Sequence, residues 1–276
     1  MNRKLIFLDI DGTLTPPGTN TPPASALNAI RTAQANGHRV FLCSGRNLDM
    51  LSPVLTLGFE GAVASAGGYV FVGDRVLFDC PMEKTQQDIA MRLLRENGVI
   101  RTVEARDASW SDEDLADFFA QVGEMNSEME RWHKKISERL KIRPMSKYDG
   151  RPVYKIVFMC RDQRQLLPAR QALENEFNFV LWEPIRSGVI NGEMINRKFD
   201  KGRGVRIVAE ALGVDLADTI GFGDSMNDLE MMDTVGISVC MDNGSPAVKA
   251  RSSFICPPVT QDGLAWAFDK LKLLNE

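Results

Sequence analysis

Short apolar runs rich in β-branched and aromatic residues alternate with amphipathic stretches toward both ends of the chain. Residues 5–10 and 39–43 read as strands, and 22–36 as a helix that stops at Asn36-Gly37, where glycine suits a C-cap. A helix over 48–55, a strand over 62–65 and a Gly67-Gly68 turn follow. They lead into two short strands, 69–72 and 76–79, joined at Gly73-Asp74. After residue 200 the rhythm resumes, with helices over 202–212, 227–232, 246–250 and 262–271 and strands over 219–222, 236–240 and 254–256. Strands that alternate with helices predict a parallel sheet covered on both faces.

The middle of the chain has a different texture. Charged helical stretches at 83–97 and 112–140 break the rhythm, while strands over 153–160, 177–182 and 185–190 and a helix over 164–176 form an α/β layer of their own. A length of 276 residues accommodates two domains. The expected fold class is therefore α/β: a Rossmann-like parallel-sheet core, residues 1–82 and 199–276, with an inserted α/β domain, residues 83–198.

Composition narrows the function classes. The formal net charge of −4 supplies no global field for nucleic acid or an anionic membrane, so neither is an expected partner, and an anionic substrate must be caught locally. No run approaches the roughly 18 apolar residues of a membrane span, and the apolar run near the N-terminus is cut by Asp9 and carries no export signal. Five scattered cysteines without a C-x-x-C fit buried thiols in a reducing compartment, and a cytoplasmic location is the expectation.

Candidate chemistry gathers at predicted strand ends. The first strand runs into Asp9-Ile10-Asp11-Gly12-Thr13, and side chains two apart on an extended chain point the same way, so both carboxylates are expected to face one spot at the sheet's carboxyl edge. Close carboxylates repel unless a cation separates them, and Mg²⁺ with oxygen ligands is the natural choice; a capping role for the two acids is the competing reading. Ser44-Gly45-Arg46 follows the second strand, where a hydroxyl and backbone N–H groups suit a phosphate or a simple N-cap. Lys201 sits in a first helical turn, against the helix dipole, which points to an anionic partner unless it is a solvated surface lysine. Gly223-Asp224-Ser225-Met226-Asn227-Asp228 places two further acids and an amide at another strand-to-helix turn, again open to a capping reading. Three carboxylates in one crevice would be balanced by one lysine and one Mg²⁺.

These four segments, in this order, resemble the haloacid dehalogenase-like superfamily of phosphohydrolases. The start at Lys201-Gly202, the Gly223-Asp224-x-x-Asn227-Asp228 segment and the position of the insert are most similar to Cof-type members with an α/β cap of subclass IIB. The resemblance implies that Asp9 attacks phosphorus and becomes an aspartyl-phosphate, with Asp11 as general acid and then base. It also implies that Asp9, the Asp11 backbone carbonyl and Asp224 ligate Mg²⁺ with Asp228 behind them, and that Ser44, Gly45, Lys201 and Asn227 hold the phosphoryl group. Arg46, Gly67 and Gly68 are further candidates for substrate contact. The family often has Asn-Gly after the third strand where this chain has Ser65-Ala66-Gly67-Gly68, and Ser44 stands where Thr is also common. The expected activity is hydrolysis of a small phosphorylated metabolite, a sugar phosphate first; a phosphomutase and a non-catalytic sugar-phosphate binder are the alternatives.

Other chemistry-bearing residues have plainer readings. His38 and His133 are expected to be solvated, and Cys43 and Cys160 to be core thiols. Leu229, Met231, Met232 and Val235 read as core, residues 128–143 as a solvated helix face, and Tyr154 and Arg186 as structural unless they meet substrate.

Overall fold

A computed structural model describes residues 3–115, 142–181 and 188–275. The chain divides into two compact units: Met1–Arg46, Met50–Asp79 and Phe199–Glu276 form the first, and Asn47–Asp49 and Cys80–Lys198 the second. In chain order the first unit opens with β1 (Leu5–Leu8), α1 (Ala24–Ala35), β2 (Arg39–Cys43), α2 (Leu48–Leu55), β3 (Gly61–Ala64), β4 (Tyr69–Val72) and β5 (Arg75–Asp79). The second unit supplies α3 (Lys84–Glu96), β6 (Ile100–Ala105), β7 (Ser109–Ser111), β8 (Ile142–Pro144), β9 (Val153–Cys160), α4 (Leu167–Leu173), β10 (Phe177–Leu181) and β11 (Ile190–Asn196). The chain then returns to the first unit with α5 (Lys201–Leu212), β12 (Thr219–Gly223), α6 (Leu229–Met232), β13 (Ile237–Met241), α7 (Pro246–Arg251), β14 (Phe254–Cys256) and α8 (Gly263–Lys270).

In the first unit, strand order is β14-β13-β12-β1-β2-β3-β4-β5, parallel up to β3 and antiparallel through β4 and β5. All four residues of β1 are buried, because each face has its own apolar layer. Leu5 and Phe7 join Phe41, Val63, Val205, Val208, Met231 and Val248 on one side. On the other side the Phe222 ring packs, tilted, with its centroid 5.4 Å from that of Phe268 of α8, and α1 buries Ala29, Ile30 and Ala33. Such two-sided burial pins β1 in place. The chain leaves β1 toward β2 on one side and meets β12 on the other, which is the switch point where open α/β sheets bind ligands.

The second unit is a six-stranded sheet, β10-β11-β9-β6-β7-β8, antiparallel except for β7 against β8. Here the sequence reading needs correction. A strand is expected over 185–190; residues 185–187 lie outside the described residues, and the observed strand β11 begins at Ile190 and runs through Asn191, Gly192 and Glu193. Those residues have poor strand propensity, and pairing on both sides, to β10 and β9, overrides it. Strands β6 to β8 are likewise absent from the sequence reading. The expected helix over 112–140 does not start at Asp112, whose carboxylate instead takes three hydrogen bonds from Arg101. Beyond Leu115 that helix lies outside the described residues, as do His133, Trp182 and Arg186. His38 is buried, not solvated: its Nδ1 accepts the Lys4 backbone N–H at 3.1 Å, and burial, with the Lys4 charge, lowers its pKa. Among the described residues, no helix is long and apolar enough to cross a membrane.

Candidate active site

Pairing of β1 with β12 continues one residue past the strand, through the Asp9 N–H to the Phe222 carbonyl at 3.0 Å, and this holds Asp9 at the carboxyl edge. The chain then turns tightly, with the Ile10 carbonyl accepting from the N–H groups of Thr13, Leu14 and Thr15. Gly12 is required in this turn for two reasons. Its φ is +94°, and a Cβ there would lie 2.4 Å from Oδ2 of Asp224.

Lys201 arrives from α5. Two glycines let this helix sit close to its neighbours, since a Cβ at Gly202 would fall 2.2 Å from the Glu230 carbonyl and one at Gly204 would fall 2.3 Å from the Val63 side chain. Asp200 caps the helix by accepting the Arg203 N–H at 2.7 Å. The Lys201 side chain is 1% exposed, and its ammonium donates to Asp9 Oδ1 at 2.7 Å, Asp228 Oδ1 at 2.6 Å and Asn227 Oδ1 at 3.2 Å. The anionic partner expected for this lysine is thus a pair of carboxylates.

Asp224 and Asp228 come from the turn after β12. Asp228 Oδ2 accepts the backbone N–H groups of Asp224 and Ser225, both at 3.0 Å, and Thr13 Oγ1 donates to Asp224 Oδ1 at 2.8 Å. Asp9, Asp224 and Asp228 each offer a carboxylate oxygen, and these atoms lie within 4.8 Å of one another. Burial raises the Asp9 carboxyl to about 7; Asp228 and Asp11 add to the rise, against the opposing pull of Lys201. Burial, then the charges of Asp9 and Asp228, raise Asp224 as well. Burial opposes the Lys201 charge, but Asp228 and Asp9 outweigh it and hold its pKa well above the usual lysine value. Three carboxylates and one ammonium leave two uncompensated negative charges. An all-oxygen donor set of that charge fits a hard divalent cation.

Asp11 is not in this cluster. Strand β1 ends at Leu8, so the alternation that would align Asp11 with Asp9 stops short of it. Its carboxylate is gripped by Arg46, with Nε to Oδ2 at 2.9 Å and Nη2 to Oδ1 at 2.7 Å. Arg46 also donates to Asn20 Oδ1 and to the Thr19 carbonyl, so its guanidinium is engaged within the loops around Asp11 rather than offered to substrate.

Ser44 is buried beside this pair, and its Oγ accepts the Arg46 N–H at 3.3 Å. Helix α2 begins only at Leu48, which removes Ser44 from the N-cap position. Gly45 lies buried between Ser44 and Arg46. The β2 and β3 loops are tied together by Ser65 N–H to the Arg46 carbonyl and Ala66 N–H to the Ser44 carbonyl. Ser65 and Ala66 both adopt positive φ, 49° and 58°, and the Ser65 hydroxyl is buried without a hydrogen bond among the described residues. Gly67 is needed because a Cβ would meet the Asp200 carbonyl at 2.3 Å, while Gly68 closes the turn back to Ser65.

One supporting residue escaped the sequence reading. Asn243, just past β13, donates to the Gly12 carbonyl at 2.8 Å and accepts the Val259 N–H at 3.1 Å. Its signal is the Asn243-Gly244 turn following another buried parallel strand. Cys43 is close to the site, but burial pushes its thiol far up, which removes it as a nucleophile.

Residues 6–268 match the profile of the haloacid dehalogenase-like hydrolase family. The chain is 28% identical over 282 residues to the "Putative phosphatase YkrA" of Bacillus subtilis (strain 168), covering 100% of each chain. It is 25% identical to the 5-amino-6-(5-phospho-D-ribitylamino)uracil phosphatase YwtE of the same organism, covering 97% of this chain and 98% of the relative. The fold is also that of the subclass IIB sugar phosphatase BT4131, with TM-score 0.77 at 22% identity over 98% of this chain and 99% of the other.

Proposed function

The chain belongs to the haloacid dehalogenase-like hydrolases of the Cof type, and from that premise we propose that this phosphatase releases phosphate from a small phosphorylated metabolite, a sugar phosphate first, through an aspartyl-phosphate on Asp9. The observation that carries the proposal is the bonding of one buried lysine to Asp9 and Asp228, with Asp224 beside them.

In this reading an Asp9 oxygen attacks phosphorus, the bond from phosphorus to the leaving oxygen breaks, and Asp11 gives that oxygen its proton. Asp11, now a carboxylate, takes a proton from water; the water oxygen attacks phosphorus, the Asp9–phosphorus bond breaks, and Asp9 is regenerated with release of inorganic phosphate. Arg46 fixes the carboxylate that shuttles the proton. Lys201 holds Asp9 in place and neutralises part of the charge that gathers there. Ser44, Gly45 and Asn227 are the further groups for the phosphoryl oxygens.

Asp9, Asp224 and the Asp11 backbone carbonyl would hold Mg²⁺, which supplies charge neutralisation at the transferring group. Asp228 backs this site, since its oxygens already serve Lys201 and two N–H groups. Purified protein assayed for phosphate release over a panel of phosphoesters with Mg²⁺ tests the proposal. Turnover that needs both Mg²⁺ and Asp9 supports it, and a panel without turnover, or an active Asp9→Asn variant, overturns it.

A further inference from the structure

Asn47, Leu48 and Asp49 belong to the second unit, although in sequence they stand between segments of the first. Their anchor is the turn between β6 and β7, which the Ala105 N–H closes on the Ala108 carbonyl at 2.9 Å. The Asn47 side chain is fully buried, and its Nδ2 donates into that turn: to the Ala105 carbonyl at 2.9 Å, the Ala108 carbonyl at 3.3 Å and Ser109 Oγ at 3.1 Å. The Leu48 N–H donates to the Arg106 carbonyl at 2.8 Å. An asparagine that only capped α2 would use its side-chain oxygen, and aspartate or serine would serve as well. What the turn selects is the amide donor.

The residue before Asn47 is fixed within the first unit. Arg46 grips the Asp11 carboxylate through Nε and Nη2, its N–H donates to Ser44 Oγ, and its carbonyl accepts the Ser65 N–H at 2.9 Å. One planar peptide bond, about 3.8 Å from Cα to Cα, therefore joins a residue held by the loops around Asp11 to a residue held by the β6–β7 turn. No spare residue lies between them to absorb a displacement. Whatever moves Asn47 moves Arg46, and through its two-pronged bond the Asp11 carboxylate.

We propose that Asn47 is a positioning residue for proton transfer: its amide, seated in the β6–β7 turn, fixes the far end of the Arg46–Asn47 peptide and so the place of Arg46 and Asp11. This rests on the phosphatase reading above, in which Asp11 protonates the leaving oxygen, and adds to it a residue that acts through Arg46 rather than on the substrate.

Leaving-group dependence tests it. An alkyl phosphate needs its leaving oxygen protonated, whereas p-nitrophenolate departs as a stable anion, and kcat/KM reports events only up to that departure. The full chain with Mg²⁺ is assayed on p-nitrophenyl phosphate and on the fastest of glycerol 2-phosphate, glucose 6-phosphate and phosphoglycolate. Asn47→Ala should lose roughly tenfold to a hundredfold in kcat/KM on the alkyl phosphate, and a loss about fivefold or more smaller on p-nitrophenyl phosphate. In an Arg46→Lys background the same change should cost at most about twofold further on the alkyl phosphate, because the grip it positions is already lost. Ser109→Ala removes one of the three acceptors of the Asn47 amide and should show the same split at smaller size, which keeps the test decisive where Asn47→Ala folds poorly. Equal losses on both substrates, strict additivity with Arg46→Lys, or a lowered melting midpoint with unchanged kinetics would overturn the assignment in favour of a structural anchor. Wild-type turnover of p-nitrophenyl phosphate without any alkyl phosphate would overturn it and leave hydrolysis through Asp9 standing; turnover of no phosphoester would remove both.

Discussion

Replacing Lys201 with methionine keeps the length of the side chain and removes its charge. The change takes away the one positive charge that faces Asp9 and Asp228, with Asp224 beside them, and strips a hydrogen-bond donor from both Asp9 and Asp228. Removing one partner of a buried ion pair costs about 3–5 kcal/mol, because the other charge stays buried. At roughly 2–4 °C per kcal/mol for a unit of this size, the midpoint of the metal-free protein should fall by on the order of 10 °C. Differential scanning fluorimetry with and without Mg²⁺ measures it. The cation should recover part of the loss by restoring positive charge among the carboxylates. Adding Asp228→Asn to Lys201→Met should be less damaging than the sum of the single changes, since the ammonium and the carboxylate meet at 2.6 Å. A Lys201→Met midpoint within about 1 °C of wild type, or strict additivity of the two changes, would refute the charge balance argued here.

Three further outcomes follow from the same geometry. The Asp9 carboxyl rises from 3.8 to about 7 on folding, so the metal-free folded state binds this proton more tightly than the unfolded chain does. The associated stability is complete below pH 3.8 and lost as pH rises through about 7; the wild-type midpoint relative to Asp9→Asn should therefore fall between about pH 4 and about pH 7 and level off above, and a rise over that window would contradict it. Gly12→Ala drives a Cβ into Asp224 at positive φ and should cost about 1–3 kcal/mol by thermal melt and on the order of a hundredfold in phosphate release, whereas near-wild-type turnover would show that the turn tolerates the shift. Arg46→Lys keeps the charge but loses the two-pronged grip on Asp11, so kcat should drop by roughly tenfold or more with KM nearly unchanged; a change in KM alone would return Arg46 to a substrate-binding role.

What the sequence revealed and what it hid divide along physical lines. The parallel core was legible because fully buried strands such as β1 are short apolar runs ended by acids or glycine, and a residue just past the end of such a strand has only one place to go. Asp9 and Asp224 could be brought together on that basis, and Lys201 because its charge conflicts with the helix dipole. Pairing that depends on the turn itself was hidden. Asp11 follows a strand that stops three residues earlier, so a period of two gave it the wrong neighbour, and Arg46 reaches it from a loop 35 positions away. His38 was hidden for a similar reason: its hydrogen bond comes from the backbone of a neighbouring strand's entry, which polarity in the local sequence does not disclose. In the second unit, β11 contains Asn, Gly and Glu and is a strand only because β9 and β10 flank it. Its Glu193 and the facing Glu104 look like surface charges in the sequence, and only the register of three strands assembles them around Lys155.

The nucleophilic role of Asp9 is tested most directly by trapping. Wild-type protein mixed with Mg²⁺ and its best phosphoester, quenched in acid during turnover and digested for peptide mass analysis, should yield a phosphorylated peptide with the phosphoryl group on Asp9. That species should be absent from Asp9→Asn, which should also release no phosphate. Turnover by wild type with no modified Asp9, together with an active Asp9→Asn variant, would contradict it.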